Sequence, residues 1–316
     1  MSPVVAVAGG TDGLGRGIVE ALKAGGQYEI VVLSRKTNPE LEKKLGVRVL
    51  AADYSSPDAL VELLEKNKIW AILSTISSAI DTLPETNLIQ AADRSKVTRR
   101  FIPNIWSGME WSADMTEKVP MAAIKMAILA ALEPTSLEWT TVYVGIFMDY
   151  YVPTLHTYAH TMPLAIDVEA NMAAIPGSGD YPVYFTHTLD IGKFVGALLG
   201  RPKWERTYYL AADQMTFNEL VRLMEEIKGA KFTVTYDSIE SLEQGQMTAL
   251  PGMHKMLEAV GGGAAGSFIL PMLAKVGALL DGALPGMEKG SRLDRLFPDI
   301  KPLTLRAGLE KAYKGN

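Results

Sequence analysis

The chain of 316 residues is 48% apolar and 21% charged, long enough to bury one large core or two unequal ones. Its formal net charge is −5, with no block of lysine or arginine, which argues against a nucleic-acid partner. The absence of cysteine excludes disulfides, thiolate zinc sites and cysteine nucleophiles.

Val4–Ala8 is a five-residue apolar run, the pattern of a parallel strand buried on both faces. It lacks the charged and apolar regions of a secretion signal, so a cytoplasmic location is expected. Gly9-Gly10-Thr11-Asp12-Gly13-Leu14-Gly15 follows, and then a predicted helix over Leu14–Ala24. Strand, glycine-rich turn and helix make the geometry of a dinucleotide-binding unit. The glycines let the backbone approach a pyrophosphate, and the helix aims its free N–H groups and positive dipole end at the anion.

The second predicted strand, Glu29–Leu33, runs into Ser34-Arg35-Lys36. An NAD site places an acid there for the ribose 2′-hydroxyl. Two cations suit the 2′-phosphate of NADP instead, with Arg35 as a bidentate partner and Lys36 as a point charge. Asp53 and Tyr54, just past a third strand at Arg48–Ala51, are expected near the adenine.

The rhythm continues with a helix over Asp58–Lys66, a strand over Trp70–Ser74, a helix over Pro84–Ser95 and a strand over Arg100–Pro103. A helix over Met121–Glu133 and a strand over Thr140–Tyr143 complete it. Alternation of this kind predicts an α/β fold, a doubly wound parallel Rossmann sheet. Such sheets bind ligands beyond the carboxyl ends of their strands. That singles out Thr75 and Ile76, Pro103 and Asn104, and Tyr143, Gly145 and Phe147 as cofactor contacts.

From Phe147 the rhythm fails. Pro153, Pro163, Pro176 and Pro182 interrupt it, strands shorten (Val183–Thr186, Tyr208–Ala211, Phe232–Tyr236), and helices return at Leu189–Leu199, Asn218–Ile227 and Leu305–Tyr313. The expected division is a dinucleotide-binding domain over residues 1–146 and a smaller C-terminal substrate-binding region over 147–316, with some segments returning to the first. Gly262–Leu284 is rich in Ala, Gly, Leu and Ile but carries Pro271, Lys275 and Asp281. It reads as a buried helix or a mobile pocket cover, and no membrane partner is expected.

No tyrosine is followed four residues later by lysine, so the proton-donor pair of classical short-chain dehydrogenases is absent. Met121 holds that place before Lys125, the only charge in Met121–Leu132. A desolvated lysine loses basicity and can exchange protons near neutral pH. The plainer reading is a side chain that snorkels from a helix edge. Trp106, Tyr143, Phe147, Tyr150 and Tyr151 offer an aromatic supply near the cleft, of which two or three could line it for a flat substrate, and His187 is a further candidate contact. His156 and His160 lack an intervening glutamate and a third ligand, so no metal is expected.

Several segments together are similar to the NmrA-like family, the atypical short-chain dehydrogenases that include isoflavone and pinoresinol–lariciresinol reductases. They are Gly9-Gly10-Thr11 with Gly13 and Gly15, Leu33-Ser34-Arg35, Arg100-Phe101-Ile102-Pro103, and Lys125 ahead of Glu133. Trp139-Thr140-Thr141, Gly145 to Tyr150, Asp190 to Val195 and Leu296 to Pro302 extend the match over nearly the whole chain, nearest the fungal branch. The resemblance implies a Rossmann domain with a small substrate domain, NADPH binding, and Lys125 in the family's catalytic-lysine position. Two places depart from it. Asp12 stands where the family loop has its middle glycine; a carboxylate beside a pyrophosphate is unfavourable unless it points away or caps the helix. Asn104-Ile105-Trp106-Ser107-Gly108 replaces a Ser-Glu-Phe/Trp-Gly segment beside the nicotinamide.

The expected function is an NADPH-dependent reductase of a small, apolar, aromatic molecule (a carbonyl, conjugated alkene or benzylic ether), with Lys125 as proton donor or polarising group. Two alternatives stand beside it. One is a non-catalytic NADP sensor that binds a protein partner. The other is a redox-neutral isomerase or cyclase.

Overall fold

The computed structural model describes residues 2–77, 81–160, 162–259, 263–281 and 283–314. Its first half contains β1 (Val4–Ala8), α1 (Gly13–Gly25), β2 (Glu29–Ser34), α2 (Pro39–Leu45), β3 (Arg48–Ala51), α3 (Pro57–Lys66), β4 (Ile69–Ser74), α4 (Leu83–Arg94), β5 (Arg100–Ile102), α5 (Pro120–Leu132), β6 (Glu138–Trp139) and β7 (Thr141–Tyr143). Every residue of β1 is buried, as its unbroken apolar run requires. Parallel pairing gives the order β3-β2-β1-β4-β5-β6. The order reverses between β1 and β4, which opens a crevice above their carboxyl ends.

Local chemistry starts and stops the helices. Asn38 and Ser56 cap α2 and α3 through their side chains, each with proline next in line, and Gly26 ends α1 in the left-handed region. Helix α2 goes beyond the sequence expectation, although Asn-Pro-Glu carries its start signal. The strand expected at Arg100–Pro103 stops at Ile102, because Pro103 has no N–H to donate to the ladder. The strand expected at Thr140–Tyr143 starts one residue later, as β7, and a separate short strand precedes it. Glu138–Trp139 pairs with β5, and the chain then turns to a different neighbour.

The second half contains β8 (Ile146–Phe147), β9 (Ile166–Asp167), β10 (Met172–Pro176), β11 (Val183–Thr186), α6 (Thr188–Leu199), β12 (Thr207–Tyr209), β13 (Asp213–Met215), α7 (Phe217–Lys228), β14 (Thr233–Asp237) and α8 (Ile239–Glu243). It ends with α9 (Pro251–Ala259), α10 (Gly263–Gly277), α11 (Gly286–Lys289), α12 (Leu293–Leu296) and α13 (Leu305–Tyr313). Strand β12 lies parallel to β7, and α6 packs on α1. The two helices touch closely: a Cβ on Gly192 would lie 2.6 Å from the Ala21 Cβ and 3.0 Å from the Ile18 Cα.

Two apolar layers cover the sheet. One gathers Leu60, Leu88, Phe101, Ala122 and Leu132; the other gathers Ile18, Val19, Phe194, Val195 and Leu198. A third core, around Tyr151, Phe185, Phe217 and Leu309, belongs to the short β8–β11–β13 and β9–β10–β14 sheets with α7 and α13. Within the Gly262–Leu284 stretch the structure shows α10 with Pro271 inside it; Gly262 and Gly282 lie outside the described residues. Its Ala274 is buried and Phe268 is 47% exposed. Among the described residues, no helix is long and apolar enough to cross a membrane.

Candidate cofactor and active site

The glycine loop is folded tightly against the end of β4. Gly9 has φ +83, and a Cβ there would lie 2.8 Å from the Thr75 carbonyl oxygen. A Cβ on Gly15 would lie 2.3 Å from Thr75 Oγ1. Thr75 is itself fixed, since its N–H and its hydroxyl both donate to the Ala8 carbonyl at 2.8 Å. Gly13, at φ +55, has open space where a Cβ would stand. The backbone therefore presents the N-terminus of α1 to the crevice without side chains in the way.

The crevice is a cleft of ≈ 1300 Å³. Of the predicted residues it gathers Gly9, Thr11, Asp12, Gly13, Leu14, Gly15, Ser34, Arg35, Asp53, Tyr54, Thr75, Ile76, Asn104, Trp106 and Phe147, and it adds His160. A second groove, ≈ 970 Å³, lies near Lys23, Tyr28, Glu42 and Arg48, away from the carboxyl ends of the strands. Arg35 is exposed at the rim and has no carboxylate partner among the described residues. Asp53 Oδ1 accepts from Ser55 N at 3.0 Å and Ser55 Oγ at 2.6 Å, and these bonds hold its carboxyl below the usual range. Tyr54 donates its hydroxyl to the Leu33 carbonyl at 3.2 Å; burial pushes that phenol up. Trp106 Nε1 donates to the Ser74 carbonyl at 2.8 Å.

Asp12 occupies the N-cap position of α1, yet its side chain makes no cap hydrogen bond. Its carboxylate turns outward to His160 Nε2 at 2.9 Å. That contact belongs to a strap, residues 153–160, laid along α1. Tyr158 donates to Glu20 Oε1 at 2.6 Å, Arg16 sits over the Tyr158 ring at 4.9 Å, and Thr157 donates to the buried Asp149. His156 Nε2 faces Glu20 at 3.8 Å, so the two histidines serve different carboxylates. Among the described residues no group of three metal-ligating side chains is assembled.

Behind the Asn104 stretch of the cleft wall, Lys125 Nζ donates to the Asn104 carbonyl at 2.6 Å. Asn104 Nδ2 donates in turn to the Ile76 carbonyl at 2.5 Å. Burial pulls the Lys125 ammonium below the ordinary lysine value, and the Glu85 carboxylate opposes that pull. Lys125 thus stands one residue behind the lining, held towards it.

Several expected contacts lie outside the cleft lining. Lys36 is exposed outside the cleft lining, and Pro103 is buried beneath it. Gly145, φ +71, permits a close crossing, since a Cβ there would lie 2.2 Å from the Tyr184 carbonyl oxygen. Tyr143 is buried and stacks on Tyr209 at 5.7 Å, and burial, with Glu110 nearby, has its phenol pushed up to about 12. Tyr151 is fully buried and donates to the Leu164 carbonyl at 2.9 Å; Tyr150 packs on Phe147 and Tyr151. His187 is 4% exposed and caps α6, its Nδ1 accepting from Leu189 N at 3.3 Å. Of the aromatic residues expected to line a substrate pocket, Trp106 and Phe147 line the cleft.

Sequence reasoning missed Glu85 and the position of His160. An acid just after proline at a helix start reads as a solvent-facing dipole partner, so Glu85 gave no sign of its burial. No pattern in the sequence joins Asp12 to His160.

The sequence pattern of the NmrA-like family matches residues 1–268. The chain belongs to the NmrA-like family. Oxidoreductase BOA1 of Botryotinia fuckeliana is 33% identical over 231 residues, 72% of this chain and 77% of that protein. Phenylcoumaran benzylic ether reductase TP7 of Nicotiana tabacum is 28% identical over 247 residues, 73% of this chain and 77% of its own. The binary complex of leucoanthocyanidin reductase with NADPH from Vitis vinifera superposes with a TM-score of 0.74 at 16% identity, covering 98% and 99% of the two chains. At that identity the likeness concerns the fold.

Proposed function

We propose that this NmrA-like protein is an NADPH-dependent reductase of a small, largely apolar, aromatic molecule, with Lys125 as its proton donor. The observation that carries the reading is one cleft lined by a glycine-cradled helix N-terminus, Arg35 and Asn104, with a desolvated lysine held on the Asn104 carbonyl directly behind that wall. The cradle fits a dinucleotide phosphate: Gly9 and Gly15 leave no room for a Cβ, and Gly13 leaves the approach open. Gly9 to Gly15 would hold the pyrophosphate, and Arg35 the 2′-phosphate. NADPH, when bound, supplies the hydride. Trp106 and Phe147 would flank the acceptor and exclude water. Lys125, oriented by the Asn104 carbonyl, gives a proton from Nζ to the acceptor oxygen or carbon that gains electrons, and recovers one from solvent. The names of the fungal and plant relatives, an oxidoreductase and a benzylic ether reductase, agree with this chemistry. Residues after Phe147, apart from α6 and β12, would form the substrate side.

The test follows NADPH and NADH consumption against aromatic ketones, enones and benzylic ethers, with wild type beside Lys125→Ala. The expected result is NADPH-selective turnover that falls by about a hundredfold or more in the variant, while NADPH affinity changes less than about threefold. Tight NADPH binding with no oxidation of any acceptor would overturn the reading in favour of a sensor. Conversion of an acceptor without net NADPH loss would favour an isomerase or cyclase.

A further inference from the structure

Glu85 lies in the first turn of α4 and is completely buried, with 0% of its surface exposed. Its Oε1 accepts from the Asn104 N–H at 2.6 Å, while Lys125 donates to the carbonyl of the same residue at 2.6 Å. Helix α4 and helix α5 therefore grip one residue of the cleft wall, one by its donor and one by its acceptor. Glu85 Oε2 and the buried Ser74 Oγ make no hydrogen bond of good geometry among the described residues, and the Ser74 hydroxyl is the neighbour placed to donate to the carboxyl and hold it down. A fully buried carboxyl with one oxygen met by no more than a poorly placed hydroxyl is unfavourable unless it serves a charge.

We propose that Glu85 is the positioning residue of Lys125: it fixes the Asn104 backbone that orients the ammonium, and its buried negative charge keeps a proton on it. This rests on the proton-donor reading of Lys125. Burial raises the Glu85 carboxyl, and the Asn104 N–H and the Lys125 charge oppose that rise. The N-terminal end of α4 also favours the anion. Among the described residues, the groups acting on the pair are each other, Ser74, Asn104 and the Tyr54 phenol, which itself feels Arg35. When Lys125 gives up its Nζ proton, Glu85 is left as an uncompensated buried anion. That imbalance drives reprotonation of the lysine from water.

The test reads the lysine directly, in the full chain without added ligand, by NMR with lysine labelled at Cε. The Lys125 signal is assigned by its loss in Lys125→Met. Glu85→Gln keeps an oxygen for the Asn104 N–H and offers an amide to Ser74, so the fold is expected to survive. Its Lys125 titration midpoint should fall by about one pH unit, a tenfold loss of the protonated form at a given pH. Glu85→Asp, which keeps the charge, should recover most of that loss. An unchanged midpoint in Glu85→Gln overturns the proposal. Were Glu85→Gln not to fold, the wild-type protein decides alone. The Glu85 carboxyl carbon must show an inflection at the Lys125 midpoint, and its absence overturns the proposal as well. The two readings fail separately. Lys125→Ala with undiminished NADPH oxidation removes the proton-donor role whatever the midpoints do, whereas an unmoved midpoint removes Glu85 and leaves Lys125 in place.

Discussion

The sheet formed by β1 to β5 and the region beyond Phe147 are assembled by different rules. In the first, each strand is followed by a helix that returns over the sheet, and handedness leaves little choice of neighbour. The cleft there opens where the geometry demands it, at the carboxyl ends of the strands. In the second, strands of two to five residues pair across long separations, as β10 does with β14. Side chains that look chemically capable there are occupied in holding segments together: His187 caps α6, Tyr151 binds the Leu164 carbonyl, and Asp149 binds Thr157 and Thr188. Chemical capability read from residue type is therefore a better guide beside a parallel strand than in a region stitched together by its polar groups.

Substitutions on each side sharpen that contrast. The largest effect is expected for Gly15→Val, because a side chain there collides with Thr75 Oγ1 and the Gly9 carbonyl. NADPH affinity measured by fluorescence titration should fall by about a hundredfold or more, with the fold retained by circular dichroism. A variant that binds NADPH normally would remove the glycine loop from the site. His187→Ala should act the other way. Losing the cap of α6 lowers stability by about 1 kcal/mol in urea unfolding, with the KM for the acceptor unchanged. A raised KM at unchanged stability would return His187 to the substrate side. The smallest effect is expected for Asp12→Gly, which joins the two regions. It removes a carboxylate beside the phosphate cradle and frees His160, and NADPH affinity should rise about threefold at low salt, less at high salt. A loss of affinity would mean that the strap, rather than the loop alone, helps to hold the cofactor.

The fold of the first half was legible because Val4–Ala8, the glycine loop and the spacing of later apolar runs obey local rules. Lys125 was legible for the same reason, as a lone charge in an apolar helix. What stayed hidden depends on distant partners. The strand expected at Thr140–Tyr143 pairs with β12, and the two residues before Thr140 form a strand of their own on β5 that no local pattern announces. Glu85 reads as a surface acid until α5 and Asn104 close over it. Tyr143, Tyr150 and Tyr151 read as pocket aromatics because aromatic side chains serve cores and clefts alike.

The contact of α6 with α1 also has a consequence in time. A polypeptide leaving the ribosome exposes Ile18, Ala21 and Leu22 long before Gly192 and Gly196 arrive to cover them. The strap over the cradle emerges in the interval, and β12 comes last to lie beside β7. The half of the molecule that is read first is thus among the last to be finished, and its glycine-lined cradle is fully backed only when chain from beyond the strap has been made.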